Sequence, residues 1–308
     1  MTNIYTLRAL LCGQWESDER LDGKTVIITG GNTGIGKETA LDLAKRVSEC
    51  DVAGGRIILA CRDVVKAEKA KAEITENSGN PNILVRPLDL ADCRSIREFS
   101  QLINREESQV NILINNAGIM MCPYSKTTDG FEMQFGVNHL GHFLLTFLLL
   151  DLLKSSAPSR VITLSSMAHA WGRIQLEDVN SETSYHSRRA YGQSKLANIL
   201  STRSLARRLQ GTGVTVYAVH PGIVRTELKR HMNLALLISW KIVRPFTKTV
   251  IQGAQTSIYC AVEPSLDSQS GGYYCDCKLS SCDRAGRDDV MAEKLWELSC
   301  QMLGITWD

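Results

Sequence analysis

The chain has 308 residues, of which 44% are hydrophobic and 22% charged, and its net charge is +2. Those values suit a soluble globular protein and exclude disorder, collagen and coiled coil as the main architecture. The balanced charge argues against a nucleic-acid partner, and a chain this long can bury a core that needs no staples.

Residues 1–20 form an N-terminal extension. Its apolar patch, Leu7 to Cys12, is too short for a signal sequence or a membrane span. Thr25-Val-Ile-Ile-Thr29 then reads as a strand, followed by a glycine-rich turn and a helix through Arg46. Val47 to Gly54 interrupts what should be a short turn and reads as a tolerated insertion. Arg56 to Ala60 is a second strand, Val64 to Asn77 a helix, Ile83 to Leu88 a third strand and Ser95 to Glu107 a helix. Val110 to Ile114 is a fourth strand, and Phe135 to Lys154 reads as one strongly apolar helix. Its apolar stretch, Phe143 to Leu153, covers about half of the ~20 residues a membrane helix needs, so it reads as buried in protein. A fifth strand, Val161 to Leu164, precedes a long helix, Arg189 to Leu209, and a sixth strand, Thr215 to Val219. Gly272-Tyr-Tyr274 is one more strand, and Asp289 to Leu303 a final helix.

This alternation predicts an α/β fold: one doubly wound (Rossmann), mostly parallel sheet of about seven strands, with helices on both faces. Residues 21–308 then make a single domain, with its ligand at the carboxyl ends of the strands.

The turn after the first strand is Thr29-Gly30-Gly31-Asn32-Thr33-Gly34-Ile35-Gly36. Gly30 permits a sharp turn, Gly34 lets the backbone approach a pyrophosphate, and Gly36 lets the helix pack close. Asn32, Thr33 and Ile35 fall in the same loop as cofactor-contacting candidates. After the second strand stands Arg62, where an acid would select NAD, and Lys37 adds a second positive charge. The reading is NADP(H). Asp63 caps the next helix. Asp89 and Asn116 follow the third and fourth strands, where each serves as a cofactor contact or as an ordinary turn residue.

Tyr191 and Lys195 are four apart on one helix face. A lysine there can lower the phenol pKa and bond a nicotinamide ribose, so the phenol can exchange a proton near neutral pH. Ser165 and Ser166 end the fifth strand, where a serine can hold a substrate oxygen. Asn138 can anchor a water for proton relay. Each residue alone has a bland structural reading, and their joint arrival on the right elements does not.

On these residues the chain resembles the short-chain dehydrogenase/reductase family. The resemblance rests on Thr29 to Gly36, Asn115-Asn116-Ala117-Gly118, the tetrad Asn138, Ser166, Tyr191 and Lys195, and His220-Pro221-Gly222. Within the family it is similar to the retinol dehydrogenase 11-to-14 branch, especially types 12 and 13. Ala60-Cys-Arg-Asp63, Met120 to Lys126, Gly136 to Phe143, Leu209 to Thr215 and Leu303 to Trp307 carry that likeness. It implies an NADP(H)-dependent oxidoreductase interconverting a lipophilic alcohol, retinol above all, and its aldehyde. It also implies Ser166 rather than Ser165 as the substrate serine, and Pro221, Gly222 and Thr226 around the nicotinamide. The branch usually carries an N-terminal membrane anchor, which is absent or vestigial here. Reduction of other lipid aldehydes or of steroids is the nearest alternative, and a non-catalytic NADP(H)-binding sensor or scaffold the alternative of another class.

A substrate lid is expected about 226–250, where Met232 to Phe246 is apolar with basic residues interspersed. Peripheral membrane contact there competes with plain core covering. The expected location is cytoplasmic or peripheral to an intracellular membrane. A homodimer is a family-level expectation. The ten cysteines read as reduced thiols, because most sit singly in apolar runs. Cys275-Asp-Cys277 with Cys282 has poor spacing for zinc, so no metal is expected. His139, His142 and His169 read as packing residues.

Overall fold

The computed structural model describes residues 15–47, 55–224 and 247–307. Its first strand, β1 (Thr25–Thr29), is buried at every position. The glycine turn leads into α1 (Gly34–Lys45), then β2 (Arg56–Cys61), α2 (Val64–Ser78), β3 (Ile83–Pro87), α3 (Cys93–Glu106) and β4 (Ile112–Asn115). The second half runs through α4 (Gly141–Leu148), α5 (Leu150–Ser155), β5 (Ser159–Leu164), α6 (Ser187–Arg208) and β6 (Val214–His220). It closes with α7 (Val250–Val262), β7 (Tyr273–Cys275), β8 (Lys278–Ser280) and α8 (Asp289–Leu303).

The strands form one sheet in the order β3-β2-β1-β4-β5-β6-β7-β8. All pairings are parallel except the last, β7 with β8. The chain winds outward from β1 to β3 and then returns to add β4 on β1's other side. The crevice between β1 and β4 is therefore the switch point, where a doubly wound sheet takes its ligand.

Side chains alternate across the sheet with a period of two. Ile27 of β1 faces a core built with Phe99, Leu144, Leu196 and Trp296. Its neighbours Val26 and Ile28 face the opposite core, with Leu43, Ile74 and Ile258. Short polar side chains start the helices. The Asp63 carboxylate accepts from the Lys66 N–H at 3.0 Å, as its position at the end of β2 predicted. Asp92 accepts from Arg94 N–H at 2.8 Å, and Thr249 with Gln252 forms a reciprocal capping box on α7.

Two expectations change. The single helix expected from Phe135 to Lys154 is broken. One turn at Met133–Phe135 runs into a π-helical stretch at Gly136–Leu140, then α4, and the helix restarts after Leu149. Gly141 explains part of this: a Cβ there would sit 2.7 Å from the Leu90 carbonyl oxygen, so the helix crosses that loop closely. Nearly every residue of the run is buried, so its hydrophobic pattern does not register a change of pitch.

The sheet also has eight strands rather than about seven. The extra one, β8, is three residues long. It follows a turn at Asp276 and Cys277, whose φ values are 52° and 54°. Two-residue hairpin turns of this kind normally carry Asn-Gly or Asp-Gly, so Asp-Cys gives no turn signal.

Among the described residues no helix is long and apolar enough to cross a membrane, and every cysteine is a free thiol. Most of the Val47 to Gly54 insertion, Met232 to Phe246 and Thr226 lie outside the described residues.

Candidate active site

The glycine turn takes the shape a phosphate cradle needs. Gly30 and Gly34 have φ of +65° and +55°, a region in which side chains with Cβ are strained. A Cβ on Gly36 would lie 2.4 Å from both the Gly30 carbonyl oxygen and the Asn116 amide, so only glycine lets α1 start this close to β1. Thr33 sits at the N-cap in an extended conformation and makes no side-chain capping bond. The first N–H groups of α1 therefore face the crevice without a side-chain partner, which favours an anion there. Asn32, Thr33 and Ile35 are half-buried along this loop.

Asn116 is built into the cradle rather than projecting from it. Its side-chain amide donates to the Thr29 carbonyl at 2.8 Å, and its backbone N–H donates to Thr29 Oγ1 at 2.9 Å. At the end of β3, one Asp89 carboxylate oxygen accepts from the Ala91 N–H at 2.9 Å, and the residue is half-exposed.

The two basic candidates differ. Arg62 is exposed and makes no ion pair among the described residues. Lys37 is paired with Glu73 of α2, a partner 36 residues away that no local pattern announces.

Across the switch point lies the second cluster. Tyr191 and Lys195 of α6 are 6% and 4% exposed. Burial pushes the Tyr191 phenol up to about 12, against a hydrogen bond from Ser166 that favours the phenolate. Burial pushes Lys195 down to about 8. In this arrangement burial outweighs any lowering of the phenol by the lysine. Lys195 Nζ donates to the Leu164 carbonyl at 3.0 Å and stands 5.8 Å from the Tyr191 ring centre, and desolvation of the phenol wins.

Ser166 and Ser165 have separate tasks. Ser165 is buried, and its hydroxyl donates to the Lys195 carbonyl at 2.8 Å, tying β5 to α6. Ser166 is half-buried beside the Tyr191 phenol, its hydroxyl also accepting from the Ala168 N–H at 3.2 Å. Asn138 is fully buried in the π-helical stretch. Its Oδ1 accepts from Ile119 N–H at 2.9 Å, and its Nδ2 donates to Ile119 O and to Ser194 Oγ. Both amide protons are thus committed, and Oδ1 keeps one acceptor site. A Cβ on Gly118 would lie 3.2 Å from that oxygen and 3.6 Å from Lys195 Nζ, so the backbone at Gly118 passes between the two.

Several supporting residues escaped the sequence reading. A Cβ on Gly172 would stand 2.4 Å from the Gly192 carbonyl oxygen. This glycine contact seats the 3-10 turn Met167–Trp171, which follows Ser166, against the helix carrying Tyr191. His169 Nε2 accepts from Asp283 N–H at 3.0 Å, so its Nδ1–H donates to the Ser166 carbonyl at 2.6 Å. His220 Nδ1 accepts from the N–H groups of Met167 and Gly222 at 3.3 and 3.4 Å, and burial pushes its pKa down to about 4. His142 bridges Thr29 Oγ1 at 2.8 Å and the Asn138 carbonyl at 3.1 Å, linking the cradle to the second cluster. Their packing role matches the expectation for His142 and His169. A single sequence offers no signal for such pairings, because each joins residues far apart along the chain.

The glycine turn and the buried Tyr–Lys pair both stand at the carboxyl ends of β1, β4 and β5, linked through Asn116, Gly118 and Asn138. That is the plan of an oxidoreductase acting on CH–OH groups with a dinucleotide. The chain belongs to the short chain dehydrogenase family, which it matches over residues 24–236. It is 54% identical to retinol dehydrogenase 12 of Homo sapiens over 96% of this chain and 91% of that protein. It is 52% identical to retinol dehydrogenase 11 of Mus musculus, over 98% and 93%, and 50% identical to retinol dehydrogenase 13 of Homo sapiens, over 95% and 88%. Among solved structures, an uncharacterised protein from Mycobacterium Paratuberculosis superposes with a TM-score of 0.75 at 38% identity, covering 94% of this chain and 97% of that one. The RhlG/NADP active-site complex of Pseudomonas aeruginosa shares the fold, with a TM-score of 0.65 at 24% identity, over 82% and 94%.

Proposed function

We propose that the protein is an NADP(H)-dependent oxidoreductase that interconverts a lipophilic alcohol and its aldehyde, with retinol and retinal as the favoured pair. The observation that carries this reading is the buried Tyr191 phenol beside Ser166, at the same end of the sheet as the glycine turn. The retinoid preference rests on the likeness to retinol dehydrogenases 11, 12 and 13 over nearly the whole chain.

The residues fit the nucleotide. Gly30 and Gly34 supply the positive-φ turn, and Gly36 lets α1 start close against it, so a pyrophosphate would meet the N-terminus of α1. Arg62, uncommitted and exposed after β2, suits a ribose 2′-phosphate, with Lys37 as a second cation once it leaves Glu73. Lys195 would hold the nicotinamide ribose, and Asn116 would shape the floor beneath it. Pro221 and Gly222, with Thr226 beyond the described residues, would flank the nicotinamide. Asp89 would contact the adenine end. When bound, NADP(H) supplies or receives the hydride.

Tyr191 keeps its proton at neutral pH and can hand it to a carbonyl oxygen as that oxygen gains charge. The Ser166 hydroxyl holds the same oxygen. Lys195, as a cation near the phenol, stabilises the phenolate left behind, and Asn138 holds the Gly118–Ile119 backbone beside Lys195.

The test mixes the purified protein with all-trans-retinal and either NADPH or NADH, and follows loss of nucleotide absorbance. Turnover with NADPH and little with NADH is expected. Absence of turnover with retinal, alongside turnover of steroids or other lipid aldehydes, would overturn the retinoid assignment. Nucleotide binding with no turnover of any carbonyl would overturn the enzyme reading in favour of a sensor.

A further inference from the structure

The hairpin joining β7 to β8 makes contacts that reach beyond the hairpin itself. Asp276 and Cys277 are consecutive residues with Cβ atoms, and both adopt left-handed backbone conformations, with φ of 52° and 54°. A residue with a Cβ is strained there, and such strain persists where the surroundings hold it in place. Here the turn aims the Asp276 carboxylate at Lys248, with which it forms an ion pair. Lys248 is 11% exposed, so the pair is largely shielded from solvent on that side. The Cys277 N–H donates to Thr256 Oγ1 at 3.4 Å, tying the turn to α7.

Lys248 in turn supports the turn after β6. Its backbone N–H donates to the Ile223 carbonyl at 2.8 Å, and Val224 and Lys248 form a parallel bridge. Its side chain lies along Gly222, where a Cβ would meet Lys248 Cδ at 2.7 Å and Nζ at 3.2 Å. Gly222 has φ of +87° and donates its N–H to His220, which also accepts from Met167, next to Ser166. Asp276, Lys248, Gly222, His220 and Met167 are thus joined in an unbroken series of contacts from the strained turn to the serine.

We propose that the strained Asp276–Cys277 turn and its ion pair with Lys248 are a positioning device that fixes the Pro221–Gly222 turn against the nicotinamide end of the dinucleotide. This rests on the NADP(H) reading above. Neither residue touches a reacting atom. Lys248 sets where the Gly222 backbone lies, and Asp276 sets where Lys248 lies.

The test compares the parent protein with Asp276→Asn and Lys248→Met, the second keeping the methylenes that pack on Gly222. Two ligands are titrated by calorimetry: NADPH, and 2′-phospho-ADP-ribose, which lacks the nicotinamide. Each variant should bind NADPH about tenfold more weakly and 2′-phospho-ADP-ribose within twofold of the parent. The double variant should lose no more than the worse single one, since both remove the same pair. Equal weakening toward both ligands would show general loosening and overturn the proposal. So would unchanged NADPH affinity in both variants. Failure of the parent itself to bind NADPH would sink the cofactor reading instead. If Asp276→Asn does not fold, Lys248→Met alone decides between these outcomes.

Discussion

The proposed catalytic corner and the proposed phosphate corner sit at the same end of the sheet and are built in opposite ways. Tyr191, Lys195 and Asn138 are 6%, 4% and 0% exposed, and the lysine and asparagine side chains are held by backbone atoms of Leu164 and Ile119. Arg62 is exposed, and among the described residues Lys37 is held only by Glu73, which is itself 58% exposed. Chemistry that moves a proton benefits from a dry, preorganised site, where a misplaced group cannot be replaced by water. Recognition of a phosphate needs only charge within reach, and solvent screens each contribution. Substitutions in the first corner should therefore act steeply, and those in the second by degrees.

The steepest expected effect is Tyr191→Phe. Removal of a general acid typically costs about 10²–10⁴-fold. Reduction of retinal should fall by that order, while NADPH binding, followed by quenching of protein fluorescence, stays within about threefold. Retained turnover would break the contrast at its strongest point. Arg62→Leu tests the other corner. Losing a charge-assisted contact of about 1.5–3 kcal/mol corresponds to roughly a 10–100-fold rise in KM for NADPH. The KM for NADH should not move. An equal rise for both nucleotides would remove Arg62 from phosphate recognition.

Gly172→Ala probes how the catalytic corner is held together. Gly172 has φ of −77° and ψ of 151°, which alanine adopts without strain, so the effect is purely steric. The added methyl would meet the Gly192 carbonyl oxygen at 2.4 Å, a backbone atom that cannot swing aside. Overpacking of this kind costs about 1–3 kcal/mol. The melting temperature should fall, and kcat should fall further than KM rises, because Ser166 shifts relative to Tyr191. A variant with parental kcat would show that the glycine contact does not set their spacing.

How much of this was legible in the sequence follows the same division. Strands β1 to β6 and the glycine cradle could be read because each is a local pattern: an apolar run, then punctuation by glycine. Tyr191 and Lys195 could be read because helical spacing puts them on one face. Asp63 at its cap needed only its position after a strand. Other features depend on contacts between distant segments. The Gly172–Gly192 seat, the bonds of His169 to Ser166 and Asp283, and the Lys37–Glu73 pair are invisible until the fold brings them together. The π-helical stretch at Gly136–Leu140 stayed hidden because uniform burial erases periodicity. The desolvation that raises the Tyr191 phenol is not legible either, because it is a property of the packed interior, whereas the sequence shows only a lysine four residues away.

A subtler consequence of burial concerns Lys195. Its pKa is pushed down to about 8 from an ordinary 10.5. A cation with a depressed folded-state pKa contributes most above the unfolded pKa, and that contribution is lost as pH falls through the folded value. The parent should therefore gain stability relative to Lys195→Met as pH rises from about 8 toward 10.5. At neutral pH the methionine variant should melt higher while being inactive. Parallel melting curves for the two proteins across that range would mean that Lys195 is not strained by its burial.

The smallest expected effect returns to the phosphate corner and decides whether Lys37 belongs to it. In the structure Lys37 is engaged by Glu73, so its charge must be drawn away before it can serve a phosphate. A surface ion pair of this kind is worth about 0.2–1 kcal/mol, so Glu73→Gln should lower the KM for NADPH by at most about fivefold. The gain should shrink as salt is raised from low to physiological ionic strength, because both the pair and the phosphate contact are screened. It should disappear when Lys37→Met is added. A KM that rises instead would mean that Glu73 orients Lys37 toward the nucleotide rather than competing for it, and recognition at this corner would then be as preorganised as the chemistry opposite.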